Sequence, residues 1–237
     1  MQPGCDRHST SSKGTHPVKK PPQVANTLVF SYIAHRRAIG TLGVGLPILL
    51  YLGALIIFQT HLQESISDYY YTGMRNVFVG VMWAIGIFLI SYKGYDIWDT
   101  TTSVLAGLFA MAITIFPTTP KLNPTPTQLT IGYIHLAFGG LLFSMLIIFC
   151  LVLFTRVQPN PKKRPTKRKL QRNVIYRICG IVMTVCIVLS GVFVIFIRGH
   201  GSPLDNLDPI FWLETISIEC FGISWLVKGE TILKDLG

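Results

Sequence analysis

Charged residues are scarce in this chain: Asp, Glu, Lys and Arg make up 14% of its 237 residues, against roughly 25% in soluble domains. Acids are scarcer still, 11 against 21 Lys and Arg, which leaves a formal net charge of +10. With 50% of residues apolar and a mean hydropathy of +0.48, these shortages exclude a disordered chain, a coiled coil and an ordinary cytosolic enzyme. Cysteine is also sparse. Cys5 lies in a polar leader and Cys150, Cys179, Cys186 and Cys220 lie within apolar stretches, with no CxxC pair, so no disulfide framework is expected. No internal repeat is visible.

What the chain does have is long apolar runs. A spanning helix needs about 20 mostly apolar residues to cross roughly 30 Å of hydrocarbon, and six windows meet that description, at about 41–59, 76–92, 100–116, 129–154, 174–197 and 210–227. Backbone in lipid must satisfy its own hydrogen bonds, so each window is read as a helix. The expected fold is all-α, a polytopic bundle of six transmembrane helices over 39–228. Residues 1–38 read as a flexible basic cytoplasmic tail ending in a short interfacial segment, 155–173 as a basic cytoplasmic loop, and 229–237 as a short cytoplasmic tail.

Lys and Arg are retained on the cytoplasmic side of a membrane. With the N-terminus inside, eighteen of the 21 basic residues fall on the cytoplasmic side, leaving Arg75, Lys121 and Arg198 outside. Both termini are therefore expected in the cytoplasm. The run PNPKKRPTKRKLQR from Pro159 to Arg172 superficially suits nucleic acid. It is tethered between two spans and has no interleaved aromatics for base stacking, so no nucleic-acid partner is expected. It reads first as a topogenic loop, with a further role for Lys162, Lys163, Arg164, Lys167, Arg168 and Lys169 in contacting anionic lipid at the cytoplasmic face. The bilayer is thus the one expected partner. The protein reads as an integral, multi-pass membrane protein, which a bacterial source would place in the inner membrane.

Small residues mark where helices approach closely: Ser103, Gly107, Ala110 and Thr114 in the third window, Gly132, His135 and Gly139 in the fourth, and Gly80 with Gly86 in the second. Ionisable groups at membrane depth are candidates for function, and His135, Glu214 and Glu219 qualify. A rise of 1.5 Å per residue puts His135 about 9 Å and Glu214 about 7 Å below the outer ends of their spans, with Glu219 near the midplane. Glu214 and Glu219 lie about 140° apart around their helix, too far for a shared-proton pair. The loop after the first span adds Ser67, Asp68 and Arg75, the last two close enough in sequence to pair, and three consecutive tyrosines, Tyr69 to Tyr71, that suit an aromatic belt.

A Ser-Ile-Ser-Asp element at Ser65 to Asp68, Phe116-Pro117 at the close of the third span and His135 early in the fourth occur in that order. Over about residues 40–227 this resembles a family of uncharacterised six-helix bacterial membrane proteins, and more distantly the eukaryotic Frag1-type proteins linked to lipid-anchor remodelling. The resemblance implies a multi-pass fold and carries over only to Ser67, Asp68, Pro117 and His135. The long tail and the basic loop lie outside it. Metal-dependent lipid hydrolases related to alkaline ceramidase are a poorer comparison, because they need an HxxxH pair in the last helix, where this chain has Glu214 and Glu219 and no histidine.

The expected function is binding of a lipid headgroup or small solute in an outward-facing polar pocket built from Ser67, Asp68, Arg75, His135, Glu214 and Glu219. The alternative is a structural or partner-binding membrane protein that docks through its basic cytoplasmic segments. A small transporter, coupled through Glu219, and a lipid-modifying hydrolase are weaker readings, since neither an inverted repeat nor a complete nucleophile-base set is legible. No cofactor or metal is expected.

Overall fold

The structure, a computed structural model, describes residues 23–156, 166–198 and 202–233, with side chains from Tyr32 onward. Lys162, Lys163 and Arg164 lie outside the described residues, as does most of the leader. Among the described residues there is no strand. Six helices form the bundle: α1 (Gln23–Ile57), α2 (Arg75–Ser91), α3 (Ile97–Ile115), α4 (Pro126–Ile148), α5 (Lys167–Val192) and α6 (Pro209–Lys228). A π-helical turn extends α4 over Phe149–Leu153, and another extends α5 over Phe193–Ile197. Five of the helices are long and apolar enough to cross a membrane. The sixth, α2, is apolar but has 17 residues, about 26 Å at 1.5 Å per residue, a little short of the roughly 30 Å core.

The helix starts follow from local chemistry. Asp96 accepts a hydrogen bond from Asp99 N at the start of α3. Thr125 and Gln128 form a reciprocal capping box ahead of α4, with Pro126 in its first turn. Thr166 accepts from Lys169 N to open α5. Each side chain supplies an acceptor to an amide with no partner inside its helix.

The leader requires a correction. Helix α1 begins at Gln23 and runs unbroken to Ile57, so residues 27–38 are neither a flexible tail nor a separate interfacial segment. The cause is tertiary. Tyr32 donates its hydroxyl to Lys93 O (2.6 Å), the His35 ring nitrogen Nε2 donates to Phe88 O (2.7 Å), and Arg37 Nε donates to Gly229 O (2.9 Å). These contacts fix the Tyr32–Arg37 stretch of α1 against the end of α2 and the end of α6.

Helix crossings use the small residues. An added Cβ on Gly107 would lie 2.5 Å from Gly86 O, and one on Gly40 would lie 2.9 Å from Gly222 O, so α2 meets α3, and α1 meets α6, nearly backbone to backbone. By contrast α4 and α5 touch sparingly. A Cβ on Gly139, Gly140 or Gly191 would meet nothing within 4 Å. The two ends of the bundle also differ. One, the loop end, carries the 58–74, 116–125 and 198–208 connections. The other, the basic end, brings the end of α6, the α2–α3 connection, the end of the π-helical turn after α4 and the first turns of α5 together around buried Tyr92, Phe149, Phe154, Tyr176 and Trp225.

Candidate functional site: an apolar cavity with a polar end

The gap between α4 and α5 opens into a cavity of about 340 Å³, within the roughly 300–1,000 Å³ of small-molecule sites. Its walls are mainly aliphatic and aromatic side chains from all six helices, including Leu46, Met82, Ile113, Phe143, Ile187 and Phe221. Gly139, Gly140 and Gly191 line it where α4 and α5 separate, and Val194 and Ile195 of the π-helical turn after α5 complete that side. The polar residues on its wall are Ser67, His135, Ser190 and Glu214.

His135 is oriented by a defect in the neighbouring helix. In a continuing helix, Ile113 O would accept from the amide four residues on, but that residue is Pro117, which has no N–H. The ring nitrogen Nδ1 of His135 supplies the missing donor, at 3.0 Å from Ile113 O and 2.8 Å from Phe116 O. Carbonyls only accept, so Nδ1 carries the proton and Nε2 presents a lone pair in the neutral ring. Nε2 has no protein partner among the described residues. Close packing of the turn after Pro117 depends on Gly132, where a Cβ would lie 1.9 Å from Thr119 Oγ1.

The 59–74 loop closes the polar end. Its 3-10 turn, Ser67–Tyr71, is buried over Ser67, Asp68 and Tyr69. Glu214 reaches up from α6 and its Oε2 accepts from Ile66 N at 2.8 Å, while Phe211 N donates to Glu64 O at 2.9 Å. Tyr71 donates its hydroxyl to Thr118 O at 2.6 Å. Above these, the Glu64 carboxylate pairs with Lys121 (3.1 Å) and Arg198 (2.7 Å). The loop is therefore fastened to the α3–α4 connection, to α6 and to the residue after α5.

The six candidate residues do not all converge. Ser67, His135 and Glu214 share the cavity wall. Asp68 is buried beside them without lining it. Burial pushes the Asp68 carboxyl above the ordinary carboxylate range, opposed by the charge of Lys121 and the hydroxyl of Ser65. Arg75 does not pair with Asp68. It is exposed, with its guanidinium 4.2 Å over the Tyr70 ring and bonded to the Tyr70 hydroxyl, because the ring lies nearer along the turn and needs no desolvation of the cation. Glu219 is half-buried on another face of α6 and is absent from the cavity wall. Of the basic run, Lys167, Arg168 and Lys169 form the first turn of α5.

Ser190 was not anticipated. Its hydroxyl is buried on the cavity wall with no hydrogen-bond partner among the described residues, and the signal for it is a Ser-Gly pair inside an apolar run. No group of three or more potential metal ligands occurs among the described residues. No family model matches the chain, and no curated protein or solved structure matches it either.

Proposed function

We propose that this is a six-span membrane protein, with both termini cytoplasmic, that binds one chain of a membrane amphipath between α4 and α5. The polar end of the cavity then lies toward the non-cytoplasmic side. The observation that carries the reading is the separation of chemistry along one cavity. An apolar wall opens between two splayed helices, and hydrogen-bonding groups gather at the other end. A hydrocarbon chain suits the first, because dry apolar walls gain contact and lose nothing when it fills them.

The head is constrained by what the polar end offers. His135 Nε2 and the second Glu214 oxygen accept hydrogen bonds, and Ser67 and Ser190 can do either. Among the described residues, no Lys or Arg lines the cavity. A head rich in donors, such as a glycerol hydroxyl or an amine, meets those acceptors. A phosphate would face a carboxyl with no cation beside it.

Native mass spectrometry of the purified chain, with a monoacylglycerol and an alkyl phosphate of equal chain length in competition, tests this. The monoacylglycerol should be retained preferentially, and Glu214→Leu should lower its retention roughly tenfold, the value of one hydrogen bond lost in an apolar site. Equal retention of the two, or no effect of Glu214→Leu, would contradict the proposal.

A further inference from the structure

Three polar atoms at the polar end of the cavity have no structural task. Ser67 is 8% exposed and lines the wall, and its hydroxyl has no hydrogen-bond partner among the described residues. It does not cap its own 3-10 turn, because Ser65 Oγ already accepts from Asp68 N at 3.1 Å. The second atom is Ser190 Oγ. Ser144, Ser217 and Ser224 each donate to the carbonyl four residues back in their own helix, at 2.8 Å, which is a common bond for a helical serine. Ser190 Oγ is buried without that bond. The third is His135 Nε2, left with a free lone pair because both carbonyls sit on Nδ1.

A short stretch of chain after α3 anchors two of these groups. Phe116 O holds His135 Nδ1 at 2.8 Å, and two residues on, Thr118 O accepts from the Tyr71 hydroxyl at 2.6 Å. Tyr71 ends the five-residue turn that Ser67 begins. The start of that turn is fixed as well, since Ile66 N donates to Glu214 Oε2 at 2.8 Å. Asp68, the next residue in the turn, is near enough for its charge to act on the His135 ring. A neutral imidazole held in one tautomer through Nδ1, sharing a cavity wall with an uncommitted serine hydroxyl, is the pairing of a nucleophile with its base. Two carbonyls here do the orienting that a carboxylate does in a Ser-His-Asp triad.

We propose that the cavity hydrolyses a carboxylic ester of the amphipath it binds, with Ser67 as nucleophile, His135 as general base and Ser190 as hydrogen-bond donor to the oxyanion. The inference rests on the reading of the cavity as an amphipath site. The ester of a monoacylglycerol joins tail to head, so its carbonyl falls where the apolar wall gives way to these groups. Ser67 Oγ adds to the carbonyl carbon as its proton passes to His135 Nε2, and the carbonyl oxygen, now an oxyanion, accepts from the Ser190 hydroxyl. Collapse breaks the bond from that carbon to the glycerol oxygen, which leaves with the proton from Nε2, while the acyl group stays on Ser67. Water then gives a proton to Nε2 and its oxygen adds to the acyl carbon. Ser67 Oγ leaves with that proton, and the fatty acid is released.

The test uses the full chain in phosphatidylcholine nanodiscs. Fatty acid released from a monoacylglycerol is measured by mass spectrometry, and binding is read separately with the alkylglycerol ether of the same length, which has no ester to cleave. The native chain should release fatty acid, and a long-chain alkyl fluorophosphonate should label it once, on Ser67. Ser67→Ala should end both at unchanged melting temperature, because the hydroxyl has no partner to lose. Ser190→Ala should lower kcat about a hundredfold at unchanged KM, the loss expected of one oxyanion donor. Ser144→Ala, a hydroxyl outside the cavity, should change nothing. An ether that is retained beside a monoacylglycerol that is not cleaved would overturn the hydrolysis and leave the binding site standing. Failure to retain the ether would overturn both. Release that survives Ser67→Ala, or a fluorophosphonate adduct on another residue, would overturn the assignment of the nucleophile.

Discussion

Replacing His135 by leucine removes the donor that serves Ile113 O and Phe116 O. Pro117 ensures that no backbone amide stands in for it at Ile113. An orphaned buried carbonyl costs about 1–3 kcal/mol, and polar contacts between membrane helices are worth up to about 2 kcal/mol, so His135→Leu should destabilise the bundle by about 1–2 kcal/mol. The same reasoning makes a sharper prediction for a second site. Pro117→Ala restores an N–H four residues after Ile113 and frees Phe116, now at φ −105°, ψ 89°, from the constraint that proline places on the residue before it. Pro117→Ala in the His135→Leu background should recover about 1 kcal/mol, the net worth of one hydrogen bond. Independent sites add to within about 0.5 kcal/mol, so the coupling is measurable by reversible unfolding of all four proteins in mixed micelles titrated with dodecyl sulfate. A His135→Leu protein as stable as the native chain, or strictly additive effects, would refute the link between the proline and the histidine.

Other consequences concern packing, charge and pH. Gly107→Ala should destabilise by about 1–3 kcal/mol in the same assay, because its Cβ would press on Gly86 O at 2.5 Å, whereas Gly80→Ala, which meets nothing within 4 Å, should be neutral or stabilising. Glu64→Ala removes both ion pairs of the closing loop, yet its partners are 44% and 50% exposed, so the thermal shift should correspond to no more than about 1 kcal/mol per pair. Asp68 has a folded-state pKa raised by burial, so it stabilises least once ionised. Its contribution is full below the unfolded-state pKa and is lost as pH rises through the folded one. Asp68→Asn should therefore flatten the decline in melting temperature from acidic toward neutral pH, a comparison that differential scanning fluorimetry makes directly.

Helices were the most legible part of the chain because apolar length and breakers are local signals. Each of the six windows falls on a helix to within two residues at its ends, and Gly86 and Gly107 sit at a crossing as small residues in lipid should. The start of α1 was not legible, since what holds Tyr32 to Arg37 in helix is contact with Lys93, Phe88 and Gly229, residues distant in sequence. At the polar end, His135 and Glu214, which depth alone picks out, share the cavity wall with Ser67, because residues at one level of a bundle can meet. Depth carries no information about azimuth for an isolated helix, and Glu219 accordingly turned out to lie off the cavity wall. The seven-residue spacing that allows Arg75 to pair with Asp68 is blind to the nearer Tyr70 ring. Arg36 and Arg172 read as ordinary flanking charges for a related reason, since only tertiary packing buries them.

The central claim is that a hydrocarbon chain occupies the space between α4 and α5, and photo-crosslinking reads that occupancy directly. A monoacylglycerol with a diazirine near the chain end, incorporated in nanodiscs with the native chain, should label peptides containing Gly139–Phe143 and Ile187–Ile195. Gly139→Leu and Gly191→Leu, whose side chains enter open space, should abolish that labelling at unchanged melting temperature. Labelling spread evenly over the lipid-facing surfaces of all six helices, and unaffected by those two leucines, would contradict the account.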